Sequence, residues 1–236
     1  MPEEATFRQN VRYERPPILE AILSFKVAPL GKEKMPLLAG VGGLLSGDYP
    51  KQETYKNRDT ETGFIFTSEN GKQTVNATLA GFSFGRSAPY DKWETFISEA
   101  RRTWNIYSEA IDGIVIQAFS IRYVNELRIP LGIPIHEFFN IYPALPDPSN
   151  LLNYFFMRVD TDIEEPPGHV TTYMQSRGLS EDNQNKRANI HIDNTFAFKV
   201  EDQIPIWDSV EKIRDIKNKT FESQIKDCLR EGFRHE

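Results

Sequence analysis

Residues 114–129, IVIQAFSIRYVNELRI, limit what this chain can become more than any other stretch. The run is rich in β-branched and aromatic residues and ends at Pro130, Leu131 and Gly132, a turn signal. It is nearly twice the length of an ordinary strand of about five or six residues, which places it in the middle of a sheet. Arg122, Tyr123 and Asn125 are polar side chains set into this apolar element. A buried polar group without a partner costs roughly 1–3 kcal/mol, so these three must be satisfied by other parts of the fold.

A second strand is legible at residues 18–27, where Leu19, Ala21, Leu23, Phe25 and Val27 form one apolar face. Pro16 and Pro17 keep its entry extended. Glu20 lies on the other face, between Ile18 and Ile22. Pro29, Leu30 and Gly31 close the strand, and residues 32–46 follow as a short helix containing Gly40, Gly42 and Gly43. Those glycines fit neither the Walker nor the dinucleotide pattern, and no Lys-Ser/Thr pair follows them. Residues 48–61 are polar and read as a surface loop.

The strongest local signal is a hairpin, residues 64–69 and 72–80, closed at Asn70-Gly71 in the manner of a type I′ turn. Residues 81–85 continue the sheet or leave it. Asp91 and Glu94 have capping-box spacing, and Trp93, Phe96, Ile97, Ala100, Trp104, Tyr107 and Ile111 then recur at helical period.

Beyond the long strand the order repeats loosely. A helix is expected around 135–141, a rigid proline-containing connection at 143–150, and strands at 151–160 and 169–177. A polar loop at 180–187 precedes an alternating strand in which Ala188, Ile190, Ile192, Asn194, Phe196, Phe198 and Val200 face one way. One long helix, capped by Asp208 and Glu211, is expected to run from Trp207 to Phe233. Each half thus reads strand, short helix, antiparallel strands, long helix, with Pro29–Gly31 echoed by Pro130–Gly132 and Trp93 by Trp207. The expectation is an α+β fold of duplicated β-α-β(n)-α halves, 1–112 and 113–236, within one compact domain. Its curved, mostly antiparallel sheet would carry two long helices on one face, as in TATA-binding-protein-like or helix-grip-like architectures.

Tyr13, Pro16-Pro17, Glu20-Ala21, Gly63-Phe64, Pro89-Tyr90 with Trp93, Arg122-Tyr123 with Asn125, and Phe221 occur in an order and spacing that resemble a sporadically distributed, uncharacterised prokaryotic family of proteins of this size. The resemblance spans nearly the whole chain. It implies no catalytic activity and no cofactor. The patchy distribution implied by it points to a role in defence or mobile-element neighbourhoods.

Composition narrows the function further. A net charge of −6 over 236 residues lacks the basic footprint that a phosphate backbone requires, so nucleic acid is disfavoured as the main partner. The single cysteine, Cys228, allows no internal disulfide and reads as core filler in the last helix. No run of about 18 apolar residues occurs, and the opening MPEEATF is not a leader pattern, so the expected setting is cytoplasmic with no membrane partner.

Glu20 and Arg122 open their respective halves, and the candidate site is an ion pair between them supported by Asn125 and the Tyr123 hydroxyl. The alternative is that Glu20, Arg122, Tyr123 and Asn125 line a ligand cavity. His191 and Asp193 share a strand face and read as solvated rather than metal-binding. The helix face Lys212, Arg214, Lys217 and Lys219 is interleaved with acids, as solvated helices are. No nucleophile elbow, Cys-x-x-Cys or His-Glu-x-x-His signature occurs. The expected function is therefore non-enzymatic. The chain reads as a binding protein with a protein partner, antitoxin-like or immunity-like, with no metal and no cofactor; homodimer formation is a further partner expectation. A small-ligand-binding or enzymatic domain is the alternative.

Overall fold

A computed structural model describes residues 13–147, 154–182, 185–200 and 205–233. Among them, nine strands form one open, curled, antiparallel sheet in the order β2-β3-β4-β5-β1-β6-β9-β8-β7. The strands are β1 (Ile18–Val27), β2 (Lys51–Asn57), β3 (Thr60–Thr67), β4 (Gln73–Thr78), β5 (Gly81–Ser87), β6 (Ile116–Pro130), β7 (Phe156–Ile163), β8 (Gly168–Asp182) and β9 (Asn185–Lys199). The helices are α1 (Met35–Leu45), α2 (Trp93–Ala110), α3 (Ile206–Gln224) and α4 (Asp227–Gly232). No described helix is long and apolar enough to cross a membrane.

The long stretch behaves as its composition demands. β6 lies inside the sheet, bonded to β1 on one side and β9 on the other. Its odd-numbered residues from Phe119 to Ile129 are buried against the helices, while its even-numbered residues face away. The same alternation buries Ala21, Leu23, Phe25 and Val27 of β1. All seven residues of the α2 apolar stripe are buried as well. The stripe docks beside Phe25, whose ring meets Trp104 of α2 at 4.6 Å and Trp207 of α3 at 5.4 Å, both edge-on. A second, smaller core joins Leu127, Ile129, Met174, Ile190 and Ile192 to Phe138, Phe139, Ile225 and Leu229.

Several local expectations are corrected. Residues 48–61 are not all loop, because Lys51–Asn57 form the fully exposed edge strand β2. Its polar sequence conceals strand character because an edge facing solvent on all sides has no apolar face to show. The Asn70-Gly71 turn is not type I′, which needs two left-handed residues; only Gly71 has a positive φ, of 70°. Asn70 instead accepts hydrogen bonds on its side chain from the Lys72 N–H and the Ser68 hydroxyl, both at 2.9 Å. Residues 180–182 and 185–187, expected in a loop, are strand, since β8 and β9 continue their pairing out to Asp182 and Asn185; residues 183–184 lie outside the described residues. The helix expected at 135–141 shrinks to one 3₁₀ turn, Ile135–Glu137. Residues 151–153 of the strand expected at 151–160, and residues 1–12, lie outside the described residues.

Neither expected helix cap forms. Lys92 and Pro205 occupy the cap positions without side-chain bonds. Asp91 instead accepts the Thr95 hydroxyl at 3.3 Å, and Glu211 accepts the Trp93 indole N–H at 2.9 Å. The last helix is broken at Ile225 and Lys226, where the chain turns extended and Ile225 forms a β-bridge to Phe139. Asn140 and Arg230 donate to the freed carbonyls of Ser223, Glu222 and Ile225, which replaces the bonds the break removes. Cys228 is exposed rather than core. Gly42 has a packing role, because a Cβ there would stand 2.7 Å from the Phe66 ring, so α1 can approach β3 only without one.

Phe25 ties the sheet to both long helices, so Phe25→Ala is expected to cost about 3–5 kcal/mol in a urea unfolding series. A loss below about 1 kcal/mol would mean that the two helices are held elsewhere.

Candidate functional site

Strand alternation divides the four sequence candidates between two surfaces. Glu20 and Arg122 lie on the face that no described helix covers, while Tyr123 and Asn125 lie beneath the helices. Adjacent residues of one strand point in opposite directions, so Arg122 and Tyr123 cannot share a cluster. The expected ion pair does come together, with Arg122 Nη1 3.8 Å from Glu20 Oε2. Its stronger partner is Asp193 on β9. Arg122 donates through Nε to both carboxylate oxygens at 2.9 and 3.0 Å, and through Nη2 to Oδ2 at 2.5 Å. These bonds hold the guanidinium charged, with its pKa raised above the ordinary arginine value against the opposing effect of burial.

Other charges on this open face are also paired. His191 is 3.1 Å from Glu126, which receives Arg128 at 3.2 Å. Arg158 on β7 holds Asp160 at 2.8 Å and lies 5.5 Å from the Tyr173 ring centre. His191 and Asp193 thus share a face, as alternation requires, and each is engaged by a different neighbour. Among the described residues no group of three His, Cys, Asp or Glu side chains could hold a metal. Between the charged rows the floor is short and polar: Ser24 lies opposite both Ser83 and Ser120, and Asn76 donates to Ser83 at 2.8 Å.

The covered face holds a feature that sequence reading missed. Gln73, Arg86, Ala21, Tyr123, Asn194 and Thr172 stand opposite one another across six strands. All but Ala21 are polar, in a layer otherwise composed mostly of hydrocarbon. Asn194 and Gln224 of α3 exchange amide bonds at 2.9 Å in both directions, and Thr172 donates to Asn194 at 2.7 Å while accepting from Gln224 at 3.2 Å. Asn125 is buried too, and its amide reaches the Ile192 carbonyl at 3.5 Å.

Near the middle of the row the Tyr123 hydroxyl is 3.1 Å from the Tyr90 hydroxyl. Burial pushes Tyr123 well above the ordinary phenol value and Tyr90 to about 12, although the bond from Tyr123 works in the other direction on Tyr90. Lys217, read from sequence as solvated, places its ammonium 4.6 Å from the Tyr123 ring centre and 5.3 Å from that of Trp93. Burial, and then the positive charge of Arg214, lower its pKa to about 7. A usable signal was present: Val210, Ile213, Lys217 and Gln224 are spaced as one helical face, and the first two are core.

A polar depression of about 960 Å³ lies elsewhere, lined by Asp48, Asn70, Lys92, Glu94, Glu99 and Arg102 among others and by none of the four sequence candidates. Burial there raises the Glu99 carboxyl, but donation from Arg102 and the Tyr49 hydroxyl outweighs it, so its pKa falls below the usual range.

No family model matches this sequence, and a search of curated proteins finds no match.

Two outcomes follow from the covered row. Gln224→Leu strands the Asn194 amide and is expected to cost about 1–3 kcal/mol by chemical denaturation, part of which returns in the double variant Asn194→Leu/Gln224→Leu. The folded pKa of Lys217 lies below its ordinary 10.5, so between about 7 and 10.5 the unfolded chain binds more protons and stability rises with pH. Lys217→Met removes that rise and is the more stable protein at pH 6; parallel pH profiles for the two proteins would contradict the burial of the amine.

Proposed function

We propose that this protein is a non-enzymatic, cytoplasmic binding protein that docks a protein partner on the open face of its sheet, as an accessory component of a defence or mobile-element system, in keeping with the family it resembles. The carrying observation is the one-sided arrangement of the helices. The described helices pack against one face, and the other presents Glu20, Arg122, Asp193, Glu126, His191 and Arg158 around a short hydroxyl and amide floor. Arg122, Arg128 and Arg158 each already hold a carboxylate, while Lys26 and Lys199 stand exposed on either side of Ala118, and this mixture of paired charge and charge unpaired among the described residues favours a partner of mixed charge.

We read the two halves as a duplication related by an axis between β1 and β6. The order β2-β3-β4-β5-β1 on one side and β6-β9-β8-β7 on the other supports this, since in each half the first strand pairs with the last. The TATA-binding-protein and helix-grip architectures share that plan. A pairing of two copies through the exposed edge β2 is compatible with it.

A second reading, a small ligand held between sheet and helices, is favoured by Arg86 and Lys217. These two covered cations have no carboxylate partner among the described residues.

Ser120→Arg places a bulky charge on the open floor without touching the covered core. The wild-type chain is expected to bring a stoichiometric protein partner with it on purification from its native host, and Ser120→Arg to abolish that recovery while leaving the melting temperature within a few degrees. Undiminished recovery with Ser120→Arg would move the partner off this face.

A further inference from the structure

Arg86 and Lys217 fold onto the covered side of the sheet, where charge is costly, and neither meets an acid among the described residues. Arg86 on β5 stands opposite Ala21, and Ala21 stands opposite Tyr123 on β6. The guanidinium and the phenol therefore rise on either side of a single methyl group, across two interstrand spacings of about 4.8 Å. The Arg86 Nε is buried and has no hydrogen-bond partner among the described residues. An unmet donor on a charged group costs more than one on a neutral group.

After β5 the chain doubles back through Pro89 and brings the Tyr90 hydroxyl to that of Tyr123, within the influence of both Arg86 and Arg214. One hydroxyl of the pair donates to the other, so one O–H remains free to donate elsewhere. Lys217 closes the far side from α3, over the Tyr123 and Trp93 rings, and its hydrogen bond goes to the neutral Asn218 side chain at 2.7 Å. The acids nearby are otherwise occupied. Glu94 holds Arg214 at 2.7 Å, and Glu211 accepts the Trp93 indole. Asp215 acts on Lys217 only as a weaker, opposing charge. Among the described residues the cluster is thus a set of donors, namely guanidinium, ammonium and phenol, with no acceptor of matching charge.

Resting on the second reading of function above, we propose that Arg86, Lys217 and the Tyr90–Tyr123 hydroxyl pair form a binding site for the oxyanion group, carboxylate or phosphate, of a small molecule held between β5, β1 and β6 and helices α2 and α3. Charge-assisted bonds from a guanidinium and an ammonium suit anionic oxygens of either kind, and the flanking Trp93 and Phe96 rings give the rest of such a molecule an apolar wall.

The test uses the full chain with ε-¹³C-labelled lysine and tyrosine, titrated separately with inorganic phosphate and with acetate, each against sodium chloride at matched ionic strength. The expected result is a saturable shift of the Lys217 and Tyr123 signals with at least one of the two probes. Arg86→Gln should weaken it at least about tenfold with no loss of melting temperature. If Arg86→Gln fails to fold, Lys217→Gln read through the Tyr123 signal serves in its place. Which probe saturates distinguishes a phosphate from a carboxylate ligand. A response to both that is linear, or equal in wild type and variant, overturns the site. Native mass spectrometry of the purified chain separates the two levels of failure. A bound neutral molecule alongside no oxyanion response rejects this site but keeps the small-ligand reading, whereas neither signal rejects both.

Discussion

The antiparallel ladder between β1 and β6 is the contact on which the rest of the molecule depends. It joins the strands of the first half to those of the second, and it runs from Ile18 opposite Asn125 to Val27 opposite Ile116. On the covered face it sets Ala21 against Tyr123, Leu23 against Ile121 and Phe25 against Phe119. Cross-strand pairs of this apolar kind contribute roughly 0.2–1 kcal/mol each beyond burial, and a one-residue slip would turn all of them toward water. The register of this ladder therefore fixes which residues the helices can reach and which remain on the open face.

Two chemically different surfaces follow from that single register. On the open face, ion pairs cross the ladder itself: Arg122 on β6 reaches Glu20 on β1 and Asp193 on β9. The half-exposed contact with Glu20 contributes little to stability, whereas the Asp193 carboxylate is buried and depends on its three bonds from Arg122; together the pairs cancel charge and fix the orientation of donors and acceptors. On the covered face, the polar row from Gln73 to Thr172 crosses the same ladder at Ala21 and Tyr123. Its outer end is closed by reciprocal amide bonds with Gln224, which locate α3 along the sheet. Its centre, around Arg86 and Lys217, is left with donors in excess.

Much of this was legible in the sequence where a single period dominates. The alternation in β1, β6 and β9 and the helical spacing of α2 reflect burial on one side, and burial imposes period on composition. The exposed edge strand β2 was not legible because, with water on every side, nothing selects apolar residues there. The break at Ile225 was missed because a distant segment around Phe138 and Asn140 stabilises it, and a local reading cannot see such a partner. The pairing of Glu20 with Arg122 could be anticipated from their places in the two opening strands, yet Asp193 proved the closer partner because β9, the last strand of its half, folds back beside β6. Lys217 was assigned to solvent by its charge when its spacing from Val210 and Ile213 put it on the core face.

If the β1–β6 ladder makes the two halves one structure, its amides should be the last to exchange. Native-state hydrogen exchange along a denaturant series reads this directly. The amides of Ile22, Ser24, Ser120 and Arg122, which bond across this ladder, are expected to exchange only with the free energy of global unfolding, in a single transition shared by β4 and β8. Separate transitions for the two halves, with the β1–β6 amides exchanging in the earlier one, would contradict it.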